Sequence, residues 1–158
     1  MTLHTIDPVW DENSKVLILG SFPSVKSREE GFFYGHKQNR FWRVLASVCD
    51  CSVPQNIYEK KSMLLANGIA VWDVIHSCDI VGSSDSSIKN VVPNDIDDIV
   101  KKSHIERIFT NGKKADELYK KYIEQTVGIS AECLPSTSPA NAVWTLEKLC
   151  EEWKIIQK

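Results

Sequence analysis

Several absences narrow the function of this chain before any motif is considered. The formal charge is only −2. No global positive field draws the chain to nucleic acid, and any contact with DNA or RNA has to be local. No apolar run approaches the length of a membrane span, so no membrane partner is expected. Met1 to Asp11 is mixed and polar and lacks the apolar core of a signal peptide. The five cysteines are odd in number and include no Cys-x-x-Cys pair. Reduced thiols in the cytoplasm are therefore expected. Cys49-x-Cys51 has no second pair at matching spacing, so neither a metal site nor another cofactor is expected. The chain carries no GxxxxGK[ST] loop and no GxGxxG fingerprint. It also lacks the GxSxG elbow of serine hydrolases.

What is present reads as one globular domain. A chain of 158 residues buries roughly two-thirds of its unfolded surface and needs no covalent staples. It has no internal repeat and no low-complexity tract. Short apolar runs predict strands over 16–19, 69–74, 105–110 and 129–134. The first two are nearly continuous, as expected for strands buried on both faces. Helical patterns lie between and after them, over 40–49, 55–66, 95–102, 113–124 and 142–156. Pro54 precedes the second helix and Gly68 follows it. Asn94 is a candidate cap for the third. In the last helix, Leu146, Leu149, Cys150 and Trp153 form the apolar face. Alternating strands and helices imply right-handed crossovers. The expected fold is a three-layer α/β/α sandwich around a central, mostly parallel four-stranded sheet.

Ligands of such sheets bind beyond the carboxyl ends of the strands. Those ends carry Gly20-Ser21-Phe22-Pro23-Ser24, then Trp72-Asp73, then Thr110-Asn111-Gly112, then Pro135-Ser136-Thr137-Ser138-Pro139-Ala140-Asn141. A Ser-rich loop, Gly82-Ser83-Ser84-Asp85-Ser86-Ser87, lies a few residues beyond the second. Small hydroxyl residues, glycines and two Ser/Pro loops thus gather on one rim. Their N–H groups and hydroxyls suit phosphate oxygens without a basic patch. The same residues also make turns, and any one loop alone is explained that way.

Three segments carry a resemblance. They are Leu19-Gly20-Ser21-Phe22-Pro23-Ser24, then Gly31-Phe32-Phe33-Tyr34-Gly35-His36-Lys37-Gln38-Asn39-Arg40-Phe41-Trp42, then Ser136-Thr137-Ser138-Pro139-Ala140-Asn141. In this order they resemble the motifs of the uracil-DNA glycosylase superfamily, and the resemblance covers most of the chain. It implies a single DNA glycosylase domain over residues 1–158. Within the superfamily the chain is most similar to the hypoxanthine-DNA (deoxyinosine) glycosylase branch. The uracil enzymes usually place an Asn or Asp in the first motif to handle the attacking water, where this chain has Ser21 and Phe22. Their second motif often begins with His or Asn, and here it begins with Ser136. The resemblance implies that Asn39, directly before Arg-Phe-Trp, takes over as the catalytic residue.

The resemblance also assigns the remaining candidates. Tyr34 and Phe22 are aromatic platforms for an extruded base, though Tyr34 would serve equally as a packed ring beside Phe32 and Phe33. Asp73 stands where uracil enzymes place a base-reading Asn and suits the N1–H of hypoxanthine; it would also cap a turn. His36 and Ser21 complete the base-binding set. Ser24, Ser136, Ser138 and Asn141 are candidates for DNA contact. Ala140 is too small to wedge into a duplex. Lys113 and Lys114 are placed either to touch the strand or to be solvated. Asn39 itself could orient water through its amide oxygen, donate to the base through its NH2, or simply cap the following helix. These roles are compatible.

The expected activity is hydrolytic release of a deaminated base, most simply hypoxanthine, by a monomer acting on DNA. Three other readings compete. One is a uracil or G:T/U mismatch glycosylase. The second is a non-enzymatic α/β module that binds a nucleotide or single-stranded nucleic acid, which the near-neutral charge disfavours. The third, an α/β hydrolase-like enzyme, is weakened by the missing elbow. No lysine is clearly placed to form a Schiff base with the sugar, although Lys37 lies near the site in sequence.

Overall fold

A computed structural model describes residues 1–158. The strands are β1 (Thr2–Leu3), β2 (Val16–Gly20), β3 (Ile69–Asp73), β4 (Ile75–Asp79), β5 (Lys89–Pro93), β6 (Arg107–Asn111) and β7 (Ala131–Leu134). The helices are α1 (Val25–Glu30), α2 (Phe41–Val48), α3 (Ile57–Ala66), α4 (Ile96–Lys101), α5 (Lys113–Tyr122), α6 (Glu124–Val127) and α7 (Leu146–Trp153).

β2 is buried along its whole length. A continuous apolar strand belongs inside a sheet covered on both faces, where no side chain meets water. It lies at the centre of a four-stranded parallel sheet in the order β3-β2-β6-β7. Successive side chains leave opposite faces. Ile18 points into a core with Phe41, Leu45, Leu64, Leu149 and Trp153. Leu17 and Leu19 enter a second core with Ile96, Ile99, Leu118 and Tyr119. Helices α2, α3 and α7 therefore cover one face and α4 and α5 the other, which makes the three layers expected from the sequence. The strand order reverses about β2, because β3 lies on one side of it and β6 on the other. Gly20 pairs with Asp73, Leu19 with Thr110 and Asn111 with Leu134. The carboxyl ends therefore finish level, and the reversal opens a crevice beside β2.

A second sheet has no counterpart in the sequence reading. β1, β4 and β5 form an antiparallel sheet with β4 in the middle. The chain leaves the parallel sheet at Val74, whose N–H donates to Gly20 O at 2.9 Å, while Ile75 N–H donates to Ser21 O at 3.1 Å. Buried Asn94 holds this corner, its Nδ2 donating to Asp73 O at 2.9 Å and Ile75 O at 3.1 Å. Asn94 therefore does not cap the following helix. Asp95 does, accepting from Asp98 N–H at 3.2 Å. Helix α1 is also new. Ser24 caps it by accepting from Ser27 N–H at 3.1 Å, and Gly31 ends it at φ 76°. Such a short helix carries too few positions to show a period. The last helix is shorter than expected, because Thr145 caps α7 and a 3-10 turn, Lys154–Gln157, replaces its end.

Removing the corner clamp leaves two carbonyls without their partner. Asn94→Ala should cost about 1–3 kcal/mol. The change should lower the urea midpoint with the m-value unchanged.

Candidate active site

The four carboxyl ends enclose a cleft of about 430 Å³. Gly20 forms its floor. A Cβ at this position would lie 2.4 Å from Asp73 Oδ1 and 3.0 Å from Tyr34 Oη. The first loop is therefore small so that these two polar groups can approach the strand end. Tyr34 stands at φ 52°, and its ring stacks on Phe41 with centroids 3.9 Å apart and planes inclined by 17°. The ring is partly exposed, yet its hydroxyl is buried and has no hydrogen-bond partner in the protein. Burial first, and the Asp73 charge second, push the phenol well above its ordinary pKa; the Asn111 side chain offsets part of this. The hydroxyl therefore keeps its proton and can donate.

Asp73 ends β3 with its side chain 5% exposed, paired with a His4 side chain only 2% exposed. His4 Nε2 donates to Asp73 Oδ2 at 2.8 Å, and His4 Nδ1 accepts from Ile6 N–H at 3.3 Å. Oδ1 faces the cleft floor above Gly20.

The segment before α2 connects the cleft walls. Asn39 Oδ1 accepts from Phe41 N–H at 2.9 Å and from Thr137 Oγ1 at 2.9 Å. Because the backbone N–H only donates, the amide has one orientation, with Oδ1 toward it and Nδ2 away. Nδ2 makes no hydrogen bond within the protein, and Asn39 lines the cleft. Asn39 thus holds the start of α2 through Oδ1 while its Nδ2 is left over at the cleft. The oxygen, however, already has two donors, so the free function of Asn39 is donation. The cap is also displaced from its expected place, because Arg40 holds the N-cap position without a side-chain bond.

Arg40 secures the Ser/Pro loop. Its Nη2 donates to Ser138 O at 2.9 Å and Asn141 O at 3.1 Å, Nε to Thr137 O at 3.4 Å, and Nη1 to Trp144 O. Asn111 grips the same loop, accepting from Thr137 N–H at 3.0 Å and donating to Thr137 Oγ1 at 3.0 Å. Trp42 Nε1 donates to Phe33 O at 3.2 Å, tying α2 to the segment that carries Tyr34.

The other expected site residues divide into two groups. Phe22, His36, Ser21, Ser24, Ser136 and Ser138 all line the cleft. Phe22 meets the His4 ring edge-on at 5.9 Å. His36 is exposed, with Nδ1 accepting from Gln38 N–H at 3.1 Å. Ser24 serves as the α1 cap, while Ser136 Oγ accepts from Ser138 N–H and Ser138 Oγ from Ala140 N–H. Asn141 is not part of the lining; its Nδ2 donates to Ser136 O at 3.0 Å and shapes the loop from within. Lys37 is also outside the lining.

Four site residues escaped the sequence reading as individuals: His4, Asp85, Asn111 and Thr137. Asn111 and Thr137 lay inside segments already singled out. Asp85 lines the cleft and accepts from Ser21 Oγ at 3.1 Å. The residue is exposed, yet the cleft walls crowd its carboxyl and raise its pKa. The Ser21 hydrogen bond and Lys114 oppose this rise, and Asp73 adds to it. Its only sequence signal is a lone acid in a serine-rich loop. No group of three or more His, Cys, Asp or Glu side chains is placed to hold a metal ion. No helix is long and apolar enough to cross a membrane.

A doubly wound sheet with a polar cleft at its reversal point is an α/β protein built to hold a nucleotide-sized ligand. Residues 8–158 match the sequence profile of the Uracil DNA glycosylase superfamily, and the chain belongs to that superfamily. It is 35% identical over 152 residues to a protein named Hypoxanthine DNA glycosylase from Methanosarcina acetivorans, covering 94% of this chain and 93% of that one. A protein of the same name from Methanosarcina barkeri is 33% identical over 136 residues, covering 85% of each chain. The fold matches the solution NMR structure of a candidate uracil DNA glycosylase from Methanosarcina acetivorans. The TM-score is 0.79 at 31% identity, with 97% of each chain covered.

The Arg40 fork makes its own prediction. Lysine offers a single point charge and cannot span four carbonyls. Arg40→Lys should leave the sheet intact but speed amide hydrogen exchange across residues 137–144. Exchange equal to the parent's in that loop would show that the fork does not hold it.

Proposed function

We propose that this chain is a monofunctional DNA glycosylase that releases hypoxanthine from deoxyinosine in DNA by hydrolysis. The observation that carries this reading is the set of polar groups left without protein partners in the cleft. Asp73 Oδ1 is an acceptor, whereas Tyr34 Oη and Asn39 Nδ2 are donors. Hypoxanthine presents the complement, an N1–H beside a C6 carbonyl. Adenine presents the reverse, an amino group beside a bare N1, and that lone pair would face the carboxylate. Uracil flanks its N3–H with two carbonyls, and the second would face the same carboxylate. Guanine shares the N1–H edge, but a correctly paired base resists extrusion more than a deaminated one. Similarity to two proteins named Hypoxanthine DNA glycosylase supports the same choice.

The chemistry follows from the same groups. The deaminated nucleotide leaves the stack at a cost of about a few kcal/mol. Tyr34 donates to O6 and Asp73 accepts N1–H. Asn39 Nδ2 donates to an acceptor of the purine, where negative charge gathers as the C1′–N9 bond breaks. The sugar becomes oxocarbenium-like, and the Asp85 carboxylate stabilises its positive charge. The base leaves with its N9 electron pair, water bonds to C1′, and the proton that this water gives up ends on the released base. Lys37 lies outside the lining, which favours water over a Schiff base. Ser24, Ser136 and Ser138 hold the flanking strand at the rim.

Base release from oligonucleotides carrying inosine, uracil, xanthine or a normal adenine tests the reading. Hypoxanthine should be released fastest, and a preference for uracil would overturn the assignment. Asn39→Asp keeps Oδ1 with its two donors and replaces the NH2 donor with a charged carboxylate oxygen that can only accept. It should slow hypoxanthine release about 10²–10³-fold with the fold retained, whereas Asn39→Ala should also lose loop stability. Near-normal release by Asn39→Asp would remove Asn39 from the chemistry.

A further inference from the structure

We infer that His4 is a positioning residue that fixes Asp73 as an ionised acceptor, and so sets the enzyme's discrimination between hypoxanthine and adenine. The inference rests on the reading of Asp73 as the contact to N1–H. Its own support is the tautomer of His4. Ile6 N–H is a donor only, and it points at His4 Nδ1. Nδ1 is therefore bare, and the one proton of the neutral ring sits on Nε2. That proton is donated to Asp73 Oδ2, which must accept through a lone pair. Oδ2 therefore cannot carry a proton. If the acid were protonated, the proton would have to sit on Oδ1, where it would face the base.

The ring has little freedom to abandon this role. It meets Phe22 and Trp72 edge-on at 5.9 and 6.3 Å and lies 6.1 Å from Phe33. Its backbone N–H donates to His76 O at 2.7 Å, continuing the β1–β4 pairing. His4 is the only side chain that hydrogen-bonds the Asp73 carboxylate. The other titratable groups facing Asp73 are Tyr34 and Asp85, and neither is a cation at neutral pH. A buried carboxylate without a donor takes up a proton rather than remain charged. With His4 removed, no donor bars a proton from either carboxyl oxygen of Asp73, and an Oδ1–H would complement adenine N1. The segment before β2 is thus part of the base reader, although it lies far from every motif.

The test compares His4→Phe, which keeps a ring but no donor, with His4→Gln, whose side-chain NH2 reaches the Nε2 position. Single-turnover release is measured for inosine and adenine in otherwise identical oligonucleotides. His4→Phe should lower the hypoxanthine-to-adenine ratio by about tenfold or more, and His4→Gln should recover most of it. In a His4→Phe, Asp73→Asn double variant the ratio should match that of Asp73→Asn alone. Equal rate losses in both His4 variants at an unchanged ratio would reduce His4 to a structural role. If Asp73→Asn lowers the ratio and His4→Phe does not, the His4 inference falls and the reading of Asp73 stands. If Asp73→Asn leaves the ratio unchanged, that reading falls as well. Should His4→Phe fail to fold, long-range ¹H–¹⁵N spectra of the parent protein decide the point. They should show a neutral His4 ring protonated at Nε2, and an imidazolium or an Nδ1–H ring would overturn the inference.

Discussion

The cleft depends on the hydrogen bonds between the start of α2 and the Ser/Pro loop almost a hundred residues later. Arg40 donates to four carbonyls of that loop, and Asn39 shares the Thr137 hydroxyl with Asn111. A guanidinium suits this task because it is always charged and presents its donors in a fixed plane. Thr137 O, Ser138 O and Asn141 O each also accept a backbone N–H, so the guanidinium fills their second lone pairs and ties the loop's turns to the start of α2. Each residue of Asn39-Arg40-Phe41-Trp42 holds a part of the site. Asn39 and Arg40 hold the loop, Phe41 supports the Tyr34 ring, and Trp42 fastens the segment that carries Tyr34. Four consecutive residues therefore fix two walls of one cleft.

Two polar groups of the site are half satisfied, and a third has no partner. Asn39 uses its oxygen internally and leaves its NH2 free. Asp73 gives Oδ2 to His4 and leaves Oδ1 at the floor. The Tyr34 hydroxyl is buried with no partner at all. Buried polar groups normally find partners, and those that do not mark a strain reservoir or a place where a ligand completes the set. The satisfied half of Asn39 and of Asp73 fixes the orientation of each, stacking on Phe41 holds the Tyr34 ring, and the open groups face the cleft. The protein thus spends stability on a pre-formed recognition surface, as functional sites commonly do.

The sequence was legible where burial is uniform or a residue type has one dominant use. The parallel strands could be read because both faces of the sheet are dry and their apolar runs are unbroken. The antiparallel sheet could not. β1 has two residues, β5 is largely exposed, and β4 starts one residue after β3 ends, so no period reveals the switch between sheets. Asn94 after a proline has the form of a helix cap, and only the corner at Val74 gives it other work. Asn39 and Tyr34 came into view through resemblance, and the geometry then divided their roles atom by atom. His4 was invisible, because its partner is 69 residues away and nothing around it has a pattern.

Charge poses a final constraint. A cleft that receives a polyanion carries two carboxylates, Asp73 and Asp85, in a chain of net charge −2. Neither acid suits phosphate, so backbone contacts have to stay on the rim, with the serine loops and with cations such as Lys114, which lies close enough to lower the Asp85 pKa. On the proposed function the acids instead serve the two parts of a nucleotide that favour negative charge nearby, an N–H on the base and a sugar turning positive. Such a division weakens sequence-independent binding, which depends on the number of phosphates neutralised. It concentrates attraction on a nucleotide that has already left the stack. Intact DNA then meets a near-neutral surface, and on the proposed function an extruded base meets Asp73 Oδ1, Tyr34 Oη and Asn39 Nδ2, none of which has a hydrogen-bond partner in the protein.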